Sequence, residues 1–143
     1  MISAGLPHGK FSIDIQNNII CIKAQGPWNL EFAELIHRDL LLAATKVDID
    51  NYAVYLEPLG EALCGEDVIQ SHTDFVARGR TKAVAVNFQH CYTAPISRAV
   101  FTKIYTNAGS NYEFFDNKQA AIAWLQEQLE TSINEPLKEA QPA

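Results

Sequence analysis

A thiol, an imidazole and two carboxylates occur in two stretches that follow predicted strands. Glu57, Glu61 and Cys64 belong to the first stretch, and His90 and Cys91 belong to the second. A thiol beside an imidazole forms the nucleophile and base of a thiol hydrolase, and the same side chains can ligate zinc. The thiols lack a C-x-x-C spacing, and adjacent side chains on extended backbone point to opposite faces. We therefore interpret these five residues as ordinary loop residues and not as a catalytic or metal site.

Cys64 and two more side chains at strand or helix ends, Arg98 and Trp28, are candidates for binding. Cys64 precedes a predicted helix whose N-terminal amides would lower the pKa of its thiol, so we expect it to be the most reactive of the three thiols. Arg98 lies one turn into a later helix, where it would meet an anion or pair with Glu57 or Asp67. Trp28 is interpreted as a hydrophobic staple, with a ligand platform as the alternative. No catalytic residue, metal or cofactor is predicted.

Two histidines fall on predicted helices. His72 lies on an apolar face and is interpreted as a core-edge histidine, whereas His37 and the neighbouring Arg38 are interpreted as solvated positions. No glycine-rich loop follows a strand with the spacing of a nucleotide-binding motif. The histidines therefore add no predicted active site.

Composition narrows the possible partners. The chain has 143 residues, enough for one domain, and a formal net charge of -6 with its lysines and arginines spread thinly. An acidic surface repels polyanions, which excludes nucleic acid as an expected partner. No apolar run is as long as a membrane span, and no secretion signal is visible at the N-terminus. Three cysteines without paired spacing suit a reducing compartment, so we expect a cytoplasmic protein.

Hydrophobic periodicity predicts the element order ββαβαβαβα, an α/β fold with a mainly parallel sheet and an N-terminal antiparallel hairpin. Proline and glycine predict a break at 25–29 and a loop at 57–65. We expect one domain over 1–134 and a flexible tail over 135–143. The predicted strands are 11–16, 19–24, 52–56, 83–88 and 112–115, with a tight turn at Asn17–Asn18 between the first two. The first predicted helix begins at 30, after Asn29 as its N-cap, and ends near 48–51, and the second runs over about 66–78. The third follows Thr93 as a cap, and the fourth opens with a capping box at 116–119.

Ligands of open α/β sheets favour the carboxyl ends of the parallel strands. That rule predicts a binding site formed by residues 27–29, 57–66 and 89–98, which we call the carboxyl rim. Separately, five aromatic side chains could line a pocket between helices and sheet, although such residues usually fill a core; they are Phe75, Phe101, Tyr105, Phe114 and Phe115.

The hairpin that begins at His8–Ile13, the Gly26–Asn29 segment, and the ending Phe114–Leu125 together resemble the SpoIIAA-like branch of the STAS superfamily, also described as STAS/SEC14-like. The resemblance covers residues 8–131. It implies a SpoIIAA-like fold and a regulatory role. Anti-sigma-factor antagonists of that superfamily carry an Asp-Ser-Ser-Gly-like phosphorylation signature, but the corresponding stretch 57–65 contains no serine or threonine. A serine phospho-switch of that kind is therefore not predicted.

Three functions follow as hypotheses. The first is a non-catalytic regulatory module that binds a protein partner or a small apolar ligand at the carboxyl rim. The second is a lipid or acyl-chain carrier, which the resemblance to SEC14-like proteins implies. The third is a hydrolase that uses Cys64 or Cys91 with His90. A homodimer through an edge hairpin or an exposed helix face is also open. A binding module is favoured because no motif identifies a reaction.

Overall fold

The computed structural model describes residues 5–139, with the side chains of residues 5–131. Within them the chain follows the predicted order ββαβαβαβα. The strands are β1 (Lys10–Gln16), β2 (Ile19–Trp28), β3 (Ala53–Cys64), β4 (Val84–Asn87) and β5 (Tyr112–Phe115), and the helices are α1 (Leu30–Ala44), α2 (Glu66–Arg78), α3 (Ala94–Ala108) and α4 (Lys118–Glu139).

The five strands lie in one sheet in the order in which they occur along the chain. β1 pairs with β2 in antiparallel orientation, and all other pairs are parallel. Each crossover steps in the same direction, so right-handed connections place α1, α2 and α3 on one face of the sheet. α4 packs against β3, β4 and β5 on the opposite face. The predicted fold class is therefore confirmed.

The β1–β2 hairpin turns at Asn17, which has a φ of 58°. Asparagine tolerates this left-handed conformation better than most residues, as the sequence predicted. Alternate residues of β1 are half-buried and exposed, so its apolar face, with Phe11 and Ile13, packs on the main core while its other face is open.

The predicted break at 25–29 and the predicted loop at 57–65 were both wrong. β2 and β3 continue side by side, and Gly26 is paired with Gly60 and Trp28 with Cys64 across a register shift. β3 pairs with β4 only up to Leu56, and the loop after β4 rejoins β3 at Gly60, so Pro58 lies in a gap between these two contacts. Proline is tolerated in such a gap because no ladder hydrogen bond is lost there, which explains why Pro58 does not end the strand.

The helix ends follow local capping. The Asn29 side chain accepts a hydrogen bond from the backbone N–H of Phe32 at 3.0 Å and caps α1, as predicted. α1 ends at Ala44, earlier than the predicted 48–51, because the hydroxyl of Thr45 donates to the carbonyl of Leu42. Gly109 closes α3 in the left-handed conformation, with a φ of 72°.

The second core lies between the sheet and α4. Leu125 and Ala121 of α4 are fully buried there against Tyr55 and Ala85 of the sheet. α4 is capped by Asn117, whose side-chain oxygen accepts from the N–H of Ala120 at 2.8 Å. The helical backbone continues to Glu139, residues 140–143 lie outside the described residues, and the flexible tail stays a prediction.

Candidate functional site

A cavity of about 380 Å³ lies between the sheet and the three helices of the first face. We call it the helix–sheet cavity. β2, β3 and β4 form its floor, and α1, α2 and α3 form its walls and roof. Ligand pockets typically have volumes of about 300 to 1,000 Å³ and are mostly apolar. Most of its lining is apolar, from positions such as Ile22, Leu56, Ile36 and Ile104. The cavity is therefore large enough for an organic ligand.

Aromatic rings surround the end of the cavity that is nearest the carboxyl rim. Trp28 stacks on Phe32 at 5.8 Å between ring centroids and meets Phe101 edge-on at 6.2 Å. The indole Nε1 of Trp28 is buried without a hydrogen-bond partner. Trp28 thus packs on the first turn of α1, as a staple does, and also lines the cavity. Of the five aromatic residues predicted to line a pocket, the three that do so are Phe75, Phe101 and Tyr105.

Two histidines form a polar pair in the cavity wall. The Nε2 of His37 on α1 lies 2.8 Å from the Nδ1 of His72 on α2, and the His37 ring stacks on Phe75 at 4.1 Å. Burial lowers the pKa of His37 to about 4, with a further contribution from Arg78, and burial lowers the pKa of His72 to about 3, with a further contribution from His37. Both rings are therefore neutral at pH 7, and a single proton lies between the two facing nitrogens.

The cavity reaches the surface at the amino end of the parallel strands. Its exposed lining residues are Leu41, Arg78 and Gly79. They lie at or beside the C-terminal ends of α1 and α2, which run back from the carboxyl ends of β2 and β3. We call this opening the mouth. The mouth is at the opposite end of the sheet from the carboxyl rim.

Cys64 contradicts the expectation of an activated thiol. Burial raises the pKa of Cys64 to about 11, and the carboxylates of Asp67 and Glu66 add to the rise. The side chain of Cys64 lines the helix–sheet cavity, where desolvation outweighs the effect of the nearby helix N-terminus. The thiol is therefore protonated at neutral pH, and Cys64 is a poor nucleophile.

His90 and Cys91 follow β4 and fix the loop to β3. The carbonyl of His90 accepts from the N–H of Gly60 at 3.1 Å, and Cys91 forms a parallel bridge with Gly60. Cys91 is buried, its sulfur lies 3.7 Å from the hydroxyl of Thr93, and the His90 side chain is exposed. Among the described side chains, no hydrogen bond joins a thiol to an imidazole. The cysteine–histidine pair that the alternative hydrolase hypothesis requires is therefore not assembled.

Glu57 lies on the other face of the sheet, under α4. Its Oε1 accepts a hydrogen bond of 2.7 Å from the hydroxyl of Tyr55, which in turn accepts one of 3.1 Å from the amide of Asn87. Burial raises the pKa of Tyr55, and the bond to Glu57 raises it further. Glu57 is thus separated by the sheet from the cavity and from Cys64, while Glu61 is exposed on β3.

Arg98 pairs with neither of the carboxylates expected from the sequence. Its guanidinium bonds Asp116 at 2.9 Å and lies over the Phe88 ring at 4.9 Å from the centroid. These contacts tie α3 to the end of β5. They leave Arg98 as a structural residue at the rim.

Two findings concern other kinds of site. Within residues 5–131, no three side chains of histidine, cysteine, aspartate or glutamate converge as metal ligands would. None of the helices described in the range 5–139 combines the length and apolarity needed to cross a bilayer.

The sequence held an unused signal for the histidine pair. His37 follows Ala33 by four residues, and His72 follows Val68 by four, so each histidine shares an apolar helical stripe. The interpretation of His37 as solvated was therefore wrong, whereas His72 does lie at the edge of the core. The interleaved aromatic residues hinted at a pocket, but its volume has no sequence signal, because an empty space depends on how far each helix lies from the sheet.

Comparison with known proteins supplies the fold. No family model and no curated protein matches the chain. A solved structure of a DUF3478-family protein with a SpoIIAA-like fold, from Shewanella loihica PV-4, is similar with a TM-score of 0.60 and 15% identity over 87% of this chain and 99% of that one. An anti-sigma factor antagonist from Mycobacterium paratuberculosis is similar with a TM-score of 0.54 and 7% identity over 82% of this chain and 94% of that one. The chain therefore has a SpoIIAA-like fold, as its sequence pattern indicated.

Proposed function

We propose that this protein is a non-catalytic binding module that holds a small apolar ligand in the helix–sheet cavity. The observation that carries the proposal is the 380 Å³ apolar space with a mouth between the ends of α1 and α2. An engineered apolar cavity of about 150 Å³ already binds benzene, so the volume here corresponds to a ligand of about 15 carbon atoms at the same volume per carbon. This places the ligand inside the fold, between layers, and not at the carboxyl rim.

Filling the cavity tests the proposal. Ala33 is buried on α1 and lines the cavity, so Ala33→Phe places an aromatic ring in the space that a ligand would occupy. We expect the fluorescence enhancement of the neutral probe N-phenylnaphthylamine to require at least about ten times more protein for half-saturation than in the parent. The thermal midpoint should stay equal or rise, because filling a void restores packing contacts.

The matched control is Ala99→Phe, which adds the same ring to an exposed position of α3 outside the cavity. It should bind the probe as the parent does. Ala44→Leu, nearer the mouth, provides a second filling variant if Ala33→Phe does not fold. Equal probe binding by the parent and a folded filling variant would exclude the cavity as the ligand site. Native mass spectrometry of freshly purified protein would also reveal a retained ligand.

A second candidate function is binding of a protein partner at the carboxyl rim. Tyr92, in the turn before α3, and Ile96, in the first turn of α3, are 85% and 60% exposed and lie four residues apart in the sequence. Exposed large apolar side chains that lie together are typical of interaction sites. The similar structure of an anti-sigma factor antagonist supports a partner-binding use of the fold. Two further rim candidates, His90 and Arg98, lie within two residues of Tyr92 and Ile96 in the sequence.

Removing the patch tests the second candidate. The double variant Tyr92→Ser, Ile96→Ser should retain at least about ten times less of a specific partner protein from the native cell extract than the parent does. Quantitative mass spectrometry of the retained proteins measures this difference. The matched control is Leu42→Ser with Ile49→Ser, which removes two exposed apolar side chains that lie outside the cavity lining, at and after the far end of α1. Equal losses in both variants would contradict a rim-specific partner.

The remaining proposals are ranked below these two. The carrier hypothesis is a form of ligand binding in the same cavity and shares its test. The hydrolase hypothesis has weak support, because Cys64 has a raised pKa and Cys91 is buried away from any imidazole contact. A homodimer and a cytoplasmic location stay as predictions, and light scattering of the purified protein measures the first.

A further inference from the structure

We propose that the cavity selects an amphiphile with an anionic head, a linear aliphatic carboxylate of about 15 carbons, held head-first toward the mouth by Arg78 with the His37–His72 pair. This inference rests on the proposed function and adds a ligand class and an orientation. It follows from how polar groups are distributed along the cavity.

The charged side chain that lines the cavity, Arg78, lies at the mouth, and its charge adds to the effect of burial in lowering the pKa of His37, which lines the same cavity. The hydroxyl of Thr81 donates to that of Tyr52 at 3.2 Å at the same end. The opposite end is closed by Trp28, Phe32 and Phe101. The polar groups near that opposite end, the indole N–H of Trp28 and the thiol of Cys64, are uncharged. A molecule with one polar end therefore has one favoured direction.

Arg78 is a cation without a carboxylate partner among the residues the structure describes. Its Nε donates to the backbone carbonyl of Asp74 at 3.2 Å, and no acidic side chain lies within 4.0 Å of its guanidinium. Arg80, two residues later, is paired with Asp50. An arginine pairs bidentately with a carboxylate, and such charge-assisted bonds are about twice as strong as neutral ones. Arg78 is thus available to a ligand head, whereas Arg80 is not.

The histidine pair supplies the complementary donor. One proton lies between His37 Nε2 and His72 Nδ1, so each neutral ring has its other nitrogen left over, one carrying a hydrogen and one a lone pair. No group among the described residues hydrogen-bonds to either outer nitrogen. A carboxylate accepts from the N–H and is neutralised by Arg78. An alcohol of equal length would form the hydrogen bond with the imidazole but would form no ion pair with the guanidinium of Arg78.

Competition between matched ligands tests the inference. Tetradecanoate and tetradecanol would each displace N-phenylnaphthylamine at pH 8, where the acid is ionised and both imidazoles are neutral. We expect tetradecanoate to bind the parent about ten times more tightly than the alcohol. Arg78→Gln should weaken tetradecanoate about tenfold and leave tetradecanol unchanged, and Arg80→Gln should change neither.

The outcomes separate the inference from the proposed function. If acid and alcohol bind the parent equally and Arg78→Gln alters neither, the cavity binds apolar ligands without head selection, and only the inference is overturned. If neither ligand displaces the probe, and the probe does not bind the parent, both proposals fail. A loss of tetradecanoate affinity in Arg80→Gln equal to that in Arg78→Gln would indicate general surface charge and also overturn the inference.

Discussion

Replacing Gly26 with alanine is expected to destabilise the protein by at least about 3 kcal/mol and to abolish probe binding in the cavity. A Cβ at this position would lie 2.1 Å from the backbone carbonyl oxygen of Glu61, and 3.2 Å from its carbonyl carbon. Because the obstacle is backbone, no side-chain rotation relieves the clash, and β2 and β3 must move apart. That movement would displace Trp28 and Cys64, which lie beyond it and line the cavity.

Gly79→Ala is the matched control for Gly26→Ala. Gly79 has a φ of -80°, and a Cβ there would meet its nearest atom at 3.4 Å. We expect a change within about 1 kcal/mol, toward higher stability, because alanine restricts the unfolded chain more than glycine does. Urea denaturation of the three proteins gives the comparison. A Gly26→Ala midpoint equal to that of the parent would show that β2 and β3 are not held at this separation in solution.

The free energy of unfolding is expected to fall by about 2 kcal/mol between pH 7 and pH 5 because of the histidine pair. This is roughly half of what the lowered pKa values of both histidines would give in full, because His37 is only half-buried and solvent screens its charge. In the folded protein the pKa values of His37 and His72 are lowered to about 4 and about 3. In the unfolded chain each imidazole takes up a proton near its ordinary pKa of about 6.5. The unfolded state thus binds more protons below pH 6.5, so stability falls as the pH falls toward 4 and is fully present above pH 7.

A double variant isolates this contribution. His37→Gln with His72→Gln keeps hydrogen-bonding amides on both helices but removes both titrations, so the loss between pH 7 and 5 should shrink by most of that 2 kcal/mol. His90→Gln, which removes an exposed histidine, should keep the full loss. Urea denaturation at pH 5, 6 and 7 measures the dependence. The same fall in the double variant as in the parent would assign it to other groups.

The sequence predicted those elements that are defined by local turn or cap residues or by a strongly periodic spacing of apolar residues. The bounds of α2 agree with the predicted 66–78, and β5 agrees with the predicted 112–115, because apolar spacing and flanking glycine or polar residues define both. Asn17 and Asn29 were interpreted correctly because turn and cap chemistry act within a few residues. The order of elements, together with the segments at residues 8–29 and 114–125, carried the resemblance that implied a SpoIIAA-like fold.

Features that depend on distant partners were missed. Pro58 and Gly60 are loop signals in sequence, yet their segment is a strand because β2 pairs with it on one side and β4 no longer does on the other. The expected partners of Arg98 were wrong for the same reason, since Asp116 approaches only when β5 lies beside β4. The carboxyl rim was predicted from the rule that ligands of open α/β sheets bind at the carboxyl ends of the parallel strands, and a site there stays a prediction. The cavity between the helices and the sheet depends instead on how distant elements pack.

The mouth and the carboxyl rim lie at opposite ends of α2, which is about 20 Å long for its 13 residues. A ligand carried in the cavity, the cargo, would enter beside Arg78 and would therefore not obstruct a protein partner, the adaptor, that is docked on Tyr92. A ternary complex of the three molecules is sterically allowed. α2 connects the two ends, since it starts beside Cys64 and finishes at Arg78. Any influence of cargo on adaptor affinity would have to pass through such a shared element, and the adaptor would then alter cargo affinity by the same factor.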